Sequence, residues 1–283
     1  MVLIICAVLF LGLVGLVLGM SFGVTPWGGL AVAVIIGVIL SAVAWGQGSA
    51  IMKAASGAHE IKTSDDPELI NIVEELTIAS GLPMPRVYVI DSSSMNAFAT
   101  GTNPDKAAVA VTRGLRKRLT REELQGVMAH EMAHIGNYDT RIMVLLGVIV
   151  GSVAIMSDMF LRGTLYGGRR KGKGGAILLV IAVLLAILAP LFAMLIQLAV
   201  SRKREYLADA TGAAMTRNPG ALADALEKLS GSSKKLEVAN RGTQHMFIIN
   251  PFRLRQKANS PMATHPPIAE RIRRLRKLAG ATG

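Results

Sequence analysis

Residues 127–141 read VMAHEMAHIGNYDTR, and His130, Glu131 and His134 are the three side chains there whose spacing could do chemistry. On a helix, positions four apart share a face. His130 and His134 therefore turn two imidazoles toward one point, where a metal ion accepts both. Glu131 projects beside them, within reach of a water that such an ion activates. Zinc lowers the pKa of that water from about 15.7 to about 7, and a neighbouring carboxylate then takes its proton. This is the peptide-hydrolysing use of H-E-x-x-H. The competing reading is coincidence on a surface helix. Ala129, Met132, Ala133 and Ile135 count against it, because they mark a buried helix, where two histidines need partners.

Zinc requires a third protein ligand and an open position. The chain has one cysteine, Cys6, set in an apolar run, so neither a thiolate cage nor a disulfide framework is available. Downstream, residues 201–209 read SRKREYLAD, with Glu205 and Asp209 again four apart on one helical face. In glutamate-type zinc peptidases a second helix supplies such a glutamate. An acid four residues later orients the first histidine through its other nitrogen. On that pattern Glu205 is the third ligand and Asp209 the orienting acid. The alternative is a surface cluster of these acids with Arg202 and Arg204.

The elements that must carry these residues are legible on both sides. SDDPEL offers an N-cap and an early proline, predicting a helix over 67–80. RVYVI (86–90), NAFATG (96–101) and AAVAV (107–111) read as short strands, the last two separated by the turn signal NPD. Thr120 and Glu123 form a capping box that opens the histidine helix. Residues 46–141 thus suit a small α+β unit. Further on, residues 201–215 and 219–229 read as helices, and IAERIRRLRKLAG as a basic surface helix facing solvent or membrane. Residues 230–260 are polar and poorly periodic, and read as loop. His59 and His245 fit no pattern and read as surface residues.

Half of the chain, 51%, is hydrophobic, and the apolar residues are concentrated in four segments. Residues 2–20 and 28–44 form a hairpin of two membrane-spanning helices. Trp27 and Trp45 bracket the second about 27 Å apart along its axis, where an interfacial belt would place them. The third run, 142–156, is short and has Asp158 near its end; the fourth, 176–200, is long. Between them RGTLYGGRRKGKGG carries five basic residues. The domains expected are therefore 1–45 (hairpin), 46–141 (strands and histidine helix), 142–200 (second apolar pair with its basic loop) and 201–283 (third ligand). The net charge of +12 does not point to nucleic acid. Residues 46–141 hold ten Lys/Arg against twelve Asp/Glu, whereas residues 201–283 hold sixteen against six, beside apolar segments, where anionic lipid is the nearer partner. Histidines before the third run and Glu205 after the fourth must meet at one ion, so both runs cross the bilayer or neither does. The positive-inside rule then puts 46–141 and 201–283 in the cytoplasm, although the basic loop offends against it. A re-entrant pair fits equally well.

Taken together, MNAFATG, VMAHEMAHIGNYDTR, SRKREYLAD and THPPIAERI resemble the M48 family of membrane zinc metallopeptidases. The resemblance covers nearly the whole chain. It implies a membrane protein, mainly α with a small β-sheet, in which four hydrophobic helices carry a cytoplasmic α+β gluzincin-type domain. It also implies one Zn2+ per chain, held by His130, His134 and Glu205, with Glu131 as general base. Asn96, Ala97, Phe98 and Ala99 match an edge strand that holds extended substrate by backbone pairing. His265 matches an HPP histidine near the zinc that could steady the oxyanion; the alternative is a turn stiffened by two prolines. The implied role is quality control in the bacterial inner membrane under stress, on misfolded membrane proteins. Two other readings stand beside it. One is a relative of the CAAX prenyl proteases, against which four apolar runs count. The other is a catalytically silent membrane scaffold with structural zinc, against which Glu131 and the lack of cysteine ligands count.

Overall fold

The computed structural model describes residues 57–142, 202–231 and 266–281, with a few isolated positions between 12 and 35. The chain divides into two compact units, residues 1–46 with 145–196 and residues 47–144 with 197–283. The first lies almost wholly outside the described residues, as do the four apolar runs, the basic loop and the 232–265 stretch. Among the described residues no helix is long and apolar enough to cross a membrane.

In the second unit the order is β1 (Ala58–Glu60), α1 (Pro67–Ser80), β2 (Arg86–Ile90), β3 (Ala97–Thr100), a 3-10 turn (Pro104–Lys106), β4 (Ala108–Thr112), α2 (Arg113–Arg118) and α3 (Arg121–Gly136), followed by α4 (Arg202–Thr216), α5 (Pro219–Ser230) and α6 (Ile268–Ala281). The three expected strands form, and β1 adds a fourth. Their order across the sheet is β1-β2-β4-β3, with β2 and β4 parallel and both edges antiparallel. RVYVI forms the strand expected of it, and both of its faces are buried. Val87 and Val89 join the main core with Val109, Val111, Ala97 and Ala99, while Tyr88, Ile90, Phe98 and Ala110 pack on the other side. Successive strand residues point to opposite faces, so a strand buried on both sides has an almost unbroken apolar sequence.

Helix ends follow the capping chemistry. The Asp66 side chain accepts from the Leu69 N–H, Pro67 occupies the first turn, and Gly81 closes α1 in the left-handed conformation (φ 67°). At α3 both arms of the Thr120–Glu123 capping box are present. Lys228 of α5 donates to Glu123 at 2.7 Å, tying α5 to the start of α3. The C-terminal basic helix forms with most of its residues exposed or half-exposed, as read, but its inner face was not foreseen. Arg271 and Leu275 of α6 are fully buried, so this surface helix turns one arginine inward while Arg273, Arg274, Arg276 and Lys277 stay exposed.

Candidate active site

Past its first turns α3 is buried on every side, and from Val127 to Ile135 every residue is buried. A helix buried all round sits in the middle of a core, and the polar side chains it carries there need partners. His130 and His134 share one face of it. Their Nε2 atoms lie 3.2 Å apart, with the rings nearly perpendicular at 85°. Across from them runs α4, which can approach because it carries Gly212. A Cβ there would stand 3.0 Å from the His130 backbone nitrogen and 3.1 Å from the Ala129 carbonyl carbon. Two turns before Gly212, on the same face, Glu205 directs Oε1 to 3.6 Å from His134 Nε2 and Oε2 to 3.8 Å from His130 Nε2. Gly212→Val should therefore push α4 off α3, lowering stability by about 1–3 kcal/mol and weakening metal binding. Thermal melting and competition with a zinc dye measure both; unchanged zinc affinity would show that the close approach is not what sets Glu205.

The three donors fit one ion. Ligand bonds of about 2.0–2.1 Å at tetrahedral angles put donor atoms about 3.3–3.5 Å apart, and the observed separations bracket that range, all within 4.8 Å. Charge points the same way. Glu131, Glu205, Asp209 and Asp139 are buried around the histidines, faced by the guanidiniums of Arg271 and Arg204. With neutral imidazoles two negative charges are left over, which a divalent cation would match. Burial and the charge of Arg271 hold His130 in its neutral form. Burial alone would discharge His134 too, but its hydrogen bond to Asp139 and the charges of Glu205 and Glu131 raise it above the ordinary histidine range.

Each imidazole is gripped from behind by a carboxylate, and each carboxylate by an arginine from a different helix. His130 Nδ1 lies 3.0 Å from Asp209 Oδ1, and Arg271 donates to both Asp209 oxygens at 2.9 and 2.7 Å. His134 Nδ1 lies 2.9 Å from Asp139 Oδ2, and Arg204 bonds the other Asp139 oxygen. Such contacts fix tautomer and ring orientation. Asp209 was expected; Asp139, Arg204 and Arg271 were not. Asp139 meets His134 across five residues past Tyr138, whose left-handed φ of 58° breaks the helical path at the end of α3. That conformation costs a bulky residue energy. The signal was an acid just past the helix end, in GNYD. Arg271 carried no signal, being one of several arginines on a helix that reads as surface.

Glu131 is buried beside the histidine face of α3. Burial pushes its carboxyl up to about 7 against the opposing charge of His134, with Glu205 adding to the rise. The Ala99 backbone N–H donates to it, which joins β3 to the centre. β3 stands at the sheet edge, with β4 its strand partner. Asn96, Ala97, Phe98 and Ala99 are nevertheless all buried. His265 and His245 lie outside the described residues. His59 is half-exposed, 3.6 Å from Asp91 and in contact with none of the site.

Comparison with known proteins completes the description. Residues 63–279 match peptidase family M48. A protein named Protease HtpX homolog from Tropheryma whipplei (strain Twist) is 49% identical over 223 residues, covering 79% of this chain and 76% of that one. Another of that name, from Syntrophobacter fumaroxidans (strain DSM 10017 / MPOB), is 44% identical over 278 residues, 96% and 97% of the two chains. A third, from Listeria monocytogenes serotype 4b (strain CLIP80459), is 42% identical over 282 residues. Among solved structures, S. mikatae Ste24p superposes with a TM-score of 0.50 at 20% identity, over 86% of this chain and 57% of that one. The likeness is one of fold, and this chain spans little more than half of that protein's length.

Proposed function

The chain belongs to peptidase family M48, and from that premise we propose that it is a zinc-dependent endopeptidase that hydrolyses misfolded or damaged membrane proteins at the cytoplasmic face of a bacterial inner membrane. Its being a metallopeptidase follows from the family; the ion, the mechanism and the substrates are the proposal. The observation that carries it is the convergence of His130, His134 and Glu205 within 4.8 Å beside the buried, non-ligating carboxylate of Glu131.

Zinc at that point supplies Lewis acidity, to lower the pKa of water and to polarise the scissile carbonyl. Everything else falls to the chain. Glu131 takes a proton from the attacking water and passes it to the leaving amine. A carboxylate held beside the attacking water can serve both transfers. Asp209 and Asp139 keep the Nδ1–H of each imidazole occupied, so that both Nε2 lone pairs face the ion. An extended substrate pairs with β3, along Asn96–Ala99, with its scissile bond brought to Glu131 by the Ala99 contact. His265 is proposed to steady the oxyanion. The scaffold alternative is disfavoured by Glu131 and by a triad that leaves a coordination position open.

The membrane setting rests on the four apolar runs. It supports substrates presented at or from the bilayer, and hence a quality-control role in stress. Purified full-length protein should carry one zinc and cleave an unfolded substrate such as casein, and a chelator should stop cleavage. Bound zinc without proteolysis would favour the scaffold. For topology, full crossing of the third and fourth runs predicts that a cysteine at Gly168, in a variant lacking Cys6, reacts with a membrane-impermeant reagent in intact cells. Protection until the cells are opened would mean that the pair enters the bilayer without traversing it.

A further inference from the structure

Arg271 has no task in the reaction just described, yet it is the largest fully buried side chain among the described residues. Its Nε and Nη2 hold Asp209. Nη2 is also 3.4 and 3.3 Å from the two ring nitrogens of His130, so the guanidinium lies against the imidazole. Nη1 is the remaining donor. It sits 3.5 Å from Glu205 Oε2, beyond a well-formed hydrogen bond, and finds no acceptor among the described residues. A buried N–H without an acceptor is rare, and the nearest oxygen here belongs to a ligand.

We propose that Arg271 is a positioning residue for the metal: in the loaded site Nη1 hydrogen-bonds Glu205 Oε2, so that Glu205 presents one oxygen to the ion, while Nε and Nη2 hold Asp209 against His130. The inference rests on reading His130, His134 and Glu205 as the ligand triad. Glu205 and Asp209 are one turn apart on α4, and a planar fork can serve both at once, whereas an ammonium acts as a single point of charge. The consequence is chemical. A glutamate that ligates through one oxygen leaves a four-coordinate ion with room for water. Both oxygens together would fill that position. α6 thereby becomes part of the metal site while contributing no ligand.

Cobalt(II) tests this without recourse to activity, because its visible bands are intense when four-coordinate and weak when five-coordinate. Full-length protein in detergent is loaded with cobalt(II), and metal affinity is measured by dye competition. Arg271→Met should lower affinity about 10–100-fold, as loss of a ligand's supporting partner does, with partial recovery in Arg271→Lys and no change in the exposed Arg273→Met. Arg271→Met alone leaves Asp209 an unmatched buried charge, which threatens folding. Asp209→Asn is therefore compared with Asp209→Asn/Arg271→Met, where no such charge remains. The double variant should bind more weakly than Asp209→Asn and show the weaker five-coordinate bands. Equal affinity and identical spectra in that pair would reduce Arg271 to a partner of Asp209 and overturn its role toward Glu205. Wild-type protein that takes up neither cobalt nor zinc would instead remove the metal-site reading beneath it.

Discussion

Glu131→Gln should keep its zinc and lose proteolysis by about 10²-fold or more, the usual contribution of a general base. Glutamine preserves the length of the side chain, and its amide oxygen can still accept from the Ala99 N–H that Glu131 engages. The buried pocket is therefore filled and its donor stays satisfied, so folding should survive. What disappears is a group able to hold a proton between the water and the leaving amine. The three candidate ligands are untouched, because Glu131 is not among them. Zinc stoichiometry and casein cleavage on the same preparation make the measurement. Near-normal turnover with zinc bound would remove Glu131 from the reaction, and a variant without zinc would recast it as a ligand. The magnitude also separates chemistry from electrostatics. Loss of one negative charge beside Glu205 and His134 alters the metal's surroundings modestly, whereas loss of the base stops both proton transfers.

How far the sequence reached depends on the kind of constraint each residue carries. Local rules acted as written at Asp66, Thr120 and Glu123, because a cap is decided within four residues. The histidines and Glu205 were legible for the same reason: a metal asks for fixed residue types at helical spacing. β1 escaped notice because three residues beside a masking polar stretch carry too little pattern, and its pairing with β2 is a long-range choice. Asp139 was hidden by backbone geometry. Counting along a helix puts it on another face from His134, and the chain leaves the helical path at the left-handed Tyr138. Arg271 was hidden by tertiary contact. Nothing in IAERIRRL separates it from Arg273 and Arg274, which pair with Glu270 at the surface, until α6 is docked against α4 and one arginine of the series meets Asp209.

Glu205→Ala should cost metal affinity more than any change to the residues behind the ligands. Zinc-site binding of roughly 10–16 kcal/mol shared among four ligands assigns about 10²–10³-fold in affinity to each. Asp209→Ala, which leaves all three donors in place, should cost about 10–100-fold. The order of the two is the sharper test, since both remove one buried negative charge from α4. If charge alone held the ion, the two would be equal. If coordination holds it, Glu205 must weigh more, because its oxygens lie within 3.8 Å of the two Nε2 atoms, whereas Asp209 meets His130 at Nδ1. Stability gives an independent reading. A ligand at 100 times its Kd stabilises the folded state by about 2.7 kcal/mol, so added zinc should raise the melting temperature of the wild type and of Asp209→Ala at sufficient concentration, and leave Glu205→Ala unmoved. Without zinc, Glu205→Ala relieves the crowding of Glu131, Glu205 and Asp209, and should melt no lower than the zinc-free wild type. Tight stoichiometric zinc in Glu205→Ala would place the third ligand elsewhere and dissolve the triad on which the assignment of Glu131 also depends.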